Sequence, residues 1–367
     1  MADSLAGSLG VTDKTVLALD AHGGDQGLAV SVPAALAALA EDPCLEIVLV
    51  GDRPELESAL QTVPGSAVGS THGSAWPPQG REAGSRLRIV HAGSTIPMDA
   101  RPAAVLRRGR DSSLWRAFEL VATGEAAACV SAGSTAAMMT VGVKLLGMLP
   151  GIQRPALMAY VPNRSGYTGM LDLGANLQVS ARQLAQFAVM GSVTAQEVEG
   201  IERPRVGLLN VGHEESKGHG TVREAHELLL GLPLNYVGFI EGHDIFDGTV
   251  DIAVCDGFAG NLVLKSSEGL ARMLLGEFRK ALNRNAMSRM GALLARPSLR
   301  RMLAHLDPAA HNGAPLLGLN GVAIKSHGSS DRKGTTRAIV EAGREARRQV
   351  HKRIETSIRE YRLETAA

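Results

Sequence analysis

Short apolar runs that end in glycine or in small polar clusters recur along the chain. They read VLALD (16–20), EIVLVG (46–51), LRIVHAG (87–93), AAACVSAG (126–133), RVGLLNVG (205–212), NYVGFIEG (235–242) and DIAVCDG (251–257). The runs are continuous rather than alternating, the pattern of strands buried on both faces. Between them, SVPAALAALA (31–40) and LRRGRDSSLWRAFELVATG (106–124) carry helical spacing. Strand and helix in alternation predict an α/β fold, doubly wound around a mostly parallel sheet with right-handed crossovers. One pair breaks the rhythm: ALMAYVP (156–162) and GMLDLG (169–174) are separated only by NRSGYT, which predicts an antiparallel hairpin insertion.

Two other stretches depart from the alternation. GSAVGSTHGSAWPPQGREAGS (65–85) has no apolar period and reads as a surface loop without chemistry. Residues 268–306 read as a basic amphipathic helical pair. Leu270, Met273, Leu274, Phe278 and Leu282 keep helical spacing, the phase slips near Asn285, and Pro297 opens a second helix. Ile339, Ala342, Ala346, Val350, Ile354 and Ile358 form one stripe of a closing C-terminal helix. The expected organisation is a flexible N-terminus over 1–15 and a single large α/β catalytic unit over 16–361.

Composition narrows the function classes. Lys plus Arg total 38 against 37 for Asp plus Glu, and 45% of the 367 residues are hydrophobic, so a sizeable core forms and no nucleic-acid tail is present. Aromatics at 3% argue against base-stacking platforms. Cys44, Cys129 and Cys255 have no Cys-x-x-Cys partner and read as inert thiols. The first fifteen residues lack a signal-peptide pattern, and no apolar stretch has membrane-spanning length, so a cytoplasmic protein is expected.

The 42 glycines concentrate where chemistry belongs in such folds, outside the carboxyl ends of strands. DAHGGD supplies Asp20, Gly23, Gly24 and Asp25. SAGST brings Ser131, Gly133, Ser134 and Thr135 to a helix N-terminus, which reads either as an anion site or as a plain Ser/Thr cap. NVGHEESKG carries Lys217, either a phosphate ligand or the partner of Glu214 or Glu215. DGFAGNLVLK offers Asp256, Asn261 and Lys265, and KSHGSSD offers Lys325, Ser326 and His327. Five such loops, rich in cations and hydroxyls, point to an oxyanion ligand, with phosphate first. GxGxxG after the first strand, GxxxxGK[ST], GxSxG and HExxH are all absent, so no cofactor and no metal are expected.

Taken together, ALDAHGGD, PMDARPAAVLRRGRDSSL, VSAGST, LPGIQRPAL, LDLGAN, NVGHEESKG, EGHDIFDGTVDIAVCDGFAGN and LLGLNGVAIKSHGSSD resemble the phosphate acyltransferases of bacterial phospholipid synthesis, the PlsX family. The resemblance implies transfer of a long-chain acyl group from acyl carrier protein to inorganic phosphate. The acyl phosphate then passes to a membrane glycerol-3-phosphate acyltransferase, PlsY. It also implies a fold like that of phosphotransacetylases and isocitrate/isopropylmalate dehydrogenases, a homodimer, and peripheral contact with the inner face of the cell membrane. His22, Ser134, Gln178, His213 and His311 depart from the commoner family pattern.

On that reading Lys217, Lys265 and Lys325 cradle phosphate, N–H groups at 133–136 receive the carbonyl oxygen, and His327 protonates the leaving thiolate. Arg279, Lys280, Arg300 and Arg301 belong to a basic face that docks either the acidic carrier protein or an anionic membrane. The alternative function is a phosphotransacetylase acting on a short-chain acyl-CoA.

Overall fold

The computed structural model describes residues 14–63, 86–305 and 312–363; the 65–85 segment, residues 1–13 of the N-terminal stretch and His311 lie outside them. Thr15, the last residue of the stretch expected to be flexible, is in the first strand, donating its N–H to Cys44 O at 2.8 Å.

The described strands are β1 (Thr15–Asp20), β2 (Leu45–Gly51), β3 (Leu87–His91), β4 (Ala128–Ser131), β5 (Ala156–Pro162), β6 (Tyr167–Leu171), β7 (Arg205–Leu209), β8 (Asn235–Ile240), β9 (Ile252–Val254), β10 (Ala314–Leu317) and β11 (Val322–Lys325). The helices are α1 (Leu28–Glu41), α2 (Arg53–Thr62), α3 (Pro102–Arg108), α4 (Ser113–Ala122), α5 (Thr135–Leu145), α6 (Ala181–Glu199), α7 (Gly220–Leu230), α8 (Gly242–Asp247), α9 (Gly257–Asn283), α10 (Ala286–His305), α11 (Arg332–Arg348) and α12 (Val350–Glu360).

All eleven strands join one sheet in the order β3-β2-β1-β4-β11-β10-β5-β6-β9-β7-β8. The predicted hairpin is β5–β6, with Tyr160 opposite Gly169. β10 is a further reversal, antiparallel to both β11 and β5, which the four-residue run APLL did not disclose. Three antiparallel pairings therefore separate two parallel halves. β3, β2, β1, β4 and β11 run one way; β6, β9, β7 and β8 run the other.

Helices cover both faces, and their buried stripes build the core. Phe118 of α4 and Phe187 of α6 are among its largest fully buried side chains. Three helical expectations need correction. The segment 106–124 is two helices, because the backbone leaves α3 at Gly109 and Ser112 caps α4 by accepting from Trp115 N. Pro297 lies inside α10, and the second helix starts at Ala286 instead. The C-terminal stripe is split between α11 and α12 at Gln349, whose φ is 51°, although Ile339, Ala342, Val350, Ile354 and Ile358 are buried as the pattern required.

Candidate active site

The glycine loops after β1, β4 and β11 meet, because these three strands are adjacent and parallel. Ser131 Oγ donates to Asp20 Oδ2 at 2.6 Å and accepts from Gly133 N at 3.0 Å. Asp25 N donates to Gly328 O at 2.9 Å, and Ser326 N to Ser131 O at 2.9 Å. The approach is close enough to demand glycine. A Cβ at Gly24, whose φ is +87°, would lie 2.8 Å from Ala132 Cβ and 2.9 Å from Gly328 O. One at Gly23 would lie 2.8 Å from Asp20 Oδ2 and 2.9 Å from Gly133 N. A narrow cleft opens among the loops, lined in part by Asp20, Gly23, Ala132, Ser326 and Gly328.

Its electrostatics follow from burial. Asp20 is buried, its Oδ1 has no hydrogen-bond partner among the described residues, and desolvation holds its carboxyl above the usual range, partly offset by hydrogen bonds. Lys325 donates its Nζ to Ala132 O at 3.3 Å and to Ser326 O. Desolvation lowers its pKa to about 8; Asp25 and Asp20 oppose the shift and Lys265 adds to it. His327 is also pushed down, first by burial and then by Lys265. Its Nδ1 accepts from Ser329 N at 3.3 Å, so the neutral ring carries its proton on Nε2.

α5 leaves this cluster with a prepared N-terminus. Ser134 occupies the N-cap position, yet its hydroxyl makes no capping hydrogen bond. The plain-cap reading therefore fails, and the first-turn N–H groups have no side-chain partner there. Thr135 is the first helical residue.

The remaining candidates are carried by the other half of the sheet and the helices that follow it. β7 and β9 run against β1, so the loops carrying Lys217 and Asp256 follow oppositely directed strands. Asp256 caps α9, accepting from Ala259 N at 2.7 Å, and Asn261 packs beside Gly174. Lys217 forms no ion pair with Glu214 or Glu215; its N–H closes a turn onto Glu214 O. Lys265 alone of this group is close enough to act on Lys325 and His327, and it is paired with Glu268 at 2.9 Å. Arg279, Lys280, Arg300 and Arg301 are exposed on α9 and α10, Lys280 pairing with Glu277 at 2.7 Å. Phe258, Leu262, Met273, Phe278, Met287 and Leu294 are exposed on the same pair.

Some residues of the site were not singled out from sequence. Asn312 donates to Ser326 Oγ at 2.8 Å and Ser330 Oγ at 3.0 Å, and accepts from His327 N, fixing the β11 loop. Met98 lies against Gly328. Outside the cleft's lining, Asp172, directly after β6, is buried and accepts from the N–H groups of Leu157, Ala175 and Asn176. Only the LDLGAN motif hinted at it. His22, by contrast, turns away from the cleft: its Nε2 accepts from Asp52 N at 3.0 Å, holding the β2–α2 turn. Among the described residues no helix is long and apolar enough to cross a membrane.

The model of the family described as "Fatty acid synthesis protein" matches residues 15–353. A phosphate acyltransferase of Alkalilimnicola ehrlichii is 45% identical over 345 residues, covering 94% of this chain and 96% of that one. One from Halorhodospira halophila is 47% identical over 338 residues, covering 92% and 94%. Among solved structures, a phosphotransacetylase from Streptococcus pyogenes superposes with a TM-score of 0.58 at 19% identity, covering 91% of this chain and 94% of that one. A second, from Staphylococcus aureus, gives 0.56 at 14%, covering 91% and 95%. These two share the mixed, mostly parallel α/β fold. The chain is an enzyme of the phosphate acyltransferase family, whose place is in fatty acid and phospholipid synthesis.

Proposed function

We propose that the protein transfers a long-chain acyl group from acyl carrier protein to inorganic phosphate, releasing acyl phosphate for phosphatidic acid synthesis. The observation that carries this reading is the kinship, nearly end to end, with proteins named phosphate acyltransferase. The cleft supports it chemically. Phosphate at neutral pH is already nucleophilic, so the site has to desolvate and orient it rather than deprotonate it. Asp20, Gly23 and Ser326 line the cleft, Gly23 and Gly24 let backbone approach closely, and the loops that form it also carry Ser131, Gly133 and the buried cation of Lys325.

A phosphate oxygen attacks the thioester carbonyl, an O–C bond forms, and the carbonyl oxygen becomes an oxyanion. The free N–H groups at the start of α5 are suited to receive that charge. Collapse breaks the C–S bond. The thiolate is a good enough leaving group to depart unprotonated and takes its proton from solvent; the Nε2–H of neutral His327 can stabilise it by a hydrogen bond. Lys265, on α9, adds positive charge that acts on Lys325 and His327.

The α9–α10 pair, with Arg279, Lys280, Arg300 and Arg301 among exposed apolar side chains, is the proposed docking face for the acidic carrier protein and for an anionic membrane surface. A cytoplasmic homodimer touching the inner membrane face would hand acyl phosphate to PlsY there. Hydroxylamine trapping of acyl phosphate from palmitoyl carrier protein plus phosphate, beside a matched acetyl-CoA reaction, tests the reading. Phosphate-dependent turnover of the carrier-protein thioester is the expected result. Turnover with acetyl-CoA alone would make the enzyme a phosphotransacetylase.

A further inference from the structure

Away from the three-loop cleft, on the oppositely directed half of the sheet, the loop after β7 meets the N-terminus of α8. There His213, His243 and Asp244 present one ligand atom each, all within 4.8 Å of one another. His213 Nε2 lies 3.5 Å from Asp244 Oδ2 and 3.8 Å from Glu241 Oε1. His243 Nε2 lies 3.8 Å from Asp244 Oδ1. The spacing between neighbouring ligands around a tetrahedral ion with bonds of about 2.0–2.2 Å is roughly 3.4 Å, so the closest pair is already set and the others need only small side-chain rotations.

We propose that His213, His243 and Asp244 form a binding site for a divalent transition cation of the zinc class, with Glu241 or water completing the shell. Two features of the surroundings favour a ligand set over a chance meeting of surface charges. His213 Nδ1 lies 3.0 Å from Phe239 O, an atom that only accepts, so the proton sits on Nδ1 and the lone pair of Nε2 faces the carboxylates. Such a second hydrogen bond to a backbone carbonyl is the usual support of a metal-bound imidazole. Asp244 is buried, and its Oδ2 accepts from Glu241 N at 2.8 Å, which fixes the carboxylate beneath the two exposed rings. Two imidazoles with carboxylate oxygen select a zinc-like ion over magnesium or calcium, which take oxygen shells.

A cation there would tie the 210–218 loop, which carries Lys217, to α8. The site is independent of the acyl-transfer reading, since none of its ligands lines the cleft. No short motif announces it: twenty-nine residues separate His213 from His243, and the fold alone brings them together.

The test uses the full chain in phosphate-free buffer, stripped of metal and titrated with Zn2+ against a chromophoric chelator. One equivalent of tight binding is expected, with a rise in melting temperature. His213→Gln and His243→Gln, both at exposed side chains, should each weaken binding by more than about tenfold, as loss of a ligand does. Co2+ in place of Zn2+ should give the visible absorption of a low-coordinate histidine site in the parent and lose it in the variants. The absence of a stoichiometric site, or affinity unchanged in both variants, would overturn the proposal.

Discussion

Lys325 is the residue on which the most chemistry rests, and its surroundings make a definite pH prediction. Burial lowers its pKa from 10.5 to about 8, so the ammonium is charged at pH 7 and neutralises over the next two units. An enzyme that holds phosphate with this group should lose kcat/KM for phosphate along an alkaline limb near pH 8, far below an ordinary lysine. Lys325→Met should abolish that limb and lower kcat/KM at pH 7 by roughly ten- to a hundredfold, the worth of about 1.5–3 kcal/mol for a hydrogen bond to a charged group. The folding sign is opposite. The folded state binds this proton less tightly than the unfolded chain, so the cost of burying the charge is relieved as pH rises from 8 toward 10.5. Denaturation measured at pH 7 and pH 9.5 should show a smaller gain with pH in the methionine variant than in the parent. A kinetic profile with the same alkaline limb in both proteins would remove Lys325 from the phosphate site.

Elements decide which of the sequence's loops become a site. The strands, their continuous apolar runs and the β5–β6 hairpin were legible because burial on both faces writes itself into composition. So were Asp20, Ser131 and Lys325, each the last residue of its strand. What the pattern did not carry was direction. β10 is four residues long between glycines, and with it the sheet reverses three times; the glycine loops after β7 and β9 consequently follow strands that run the other way. Asn312 was equally hidden, since its role depends on Ser326 and Ser330 being folded against it. The support beneath the cleft can be tested through α5. Gly142 on that helix is packed so tightly that a Cβ would lie 2.7 Å from Leu319 Cδ1 and 3.1 Å from Phe118 Cε1. Gly142→Val should destabilise the fold by roughly 1–3 kcal/mol through overpacking. By moving α5, whose N-terminal N–H groups are assigned to the oxyanion, it should also lower kcat more than it raises the KM for phosphate. A variant with lowered melting temperature and unchanged kcat would show that the α5 N-terminus does not receive the oxyanion.

Charge is distributed unevenly over the whole molecule. The net charge is +1, yet over residues 257–305, the α9–α10 pair, Lys and Arg outnumber Asp and Glu by nine to two. The remainder of the chain is therefore acidic, and the molecule carries a basic arm on a weakly repelling body. An acidic carrier protein approaching it should be steered to that arm, and association should weaken with salt because exposed charges are screened beyond about 8–10 Å at physiological ionic strength. An anionic bilayer would be drawn to the same arm, but there Met287, Leu293 and Leu294, exposed at 77%, 64% and 80%, would add apolar insertion that salt does not screen. The two partners can thus be separated by charge and by hydrophobicity. Arg300→Glu with Arg301→Glu should raise the KM for acyl carrier protein several-fold and flatten its salt dependence, leaving the KM for phosphate unchanged. Leu293→Ser with Leu294→Ser should reduce flotation with anionic vesicles at high salt while sparing carrier-protein turnover. If the charge-reversed enzyme keeps the parent's carrier-protein KM at low salt, steering runs through another face. The exposed arginines of α3 and the turn after it, Arg107, Arg108 and Arg110, would then be the next to reverse.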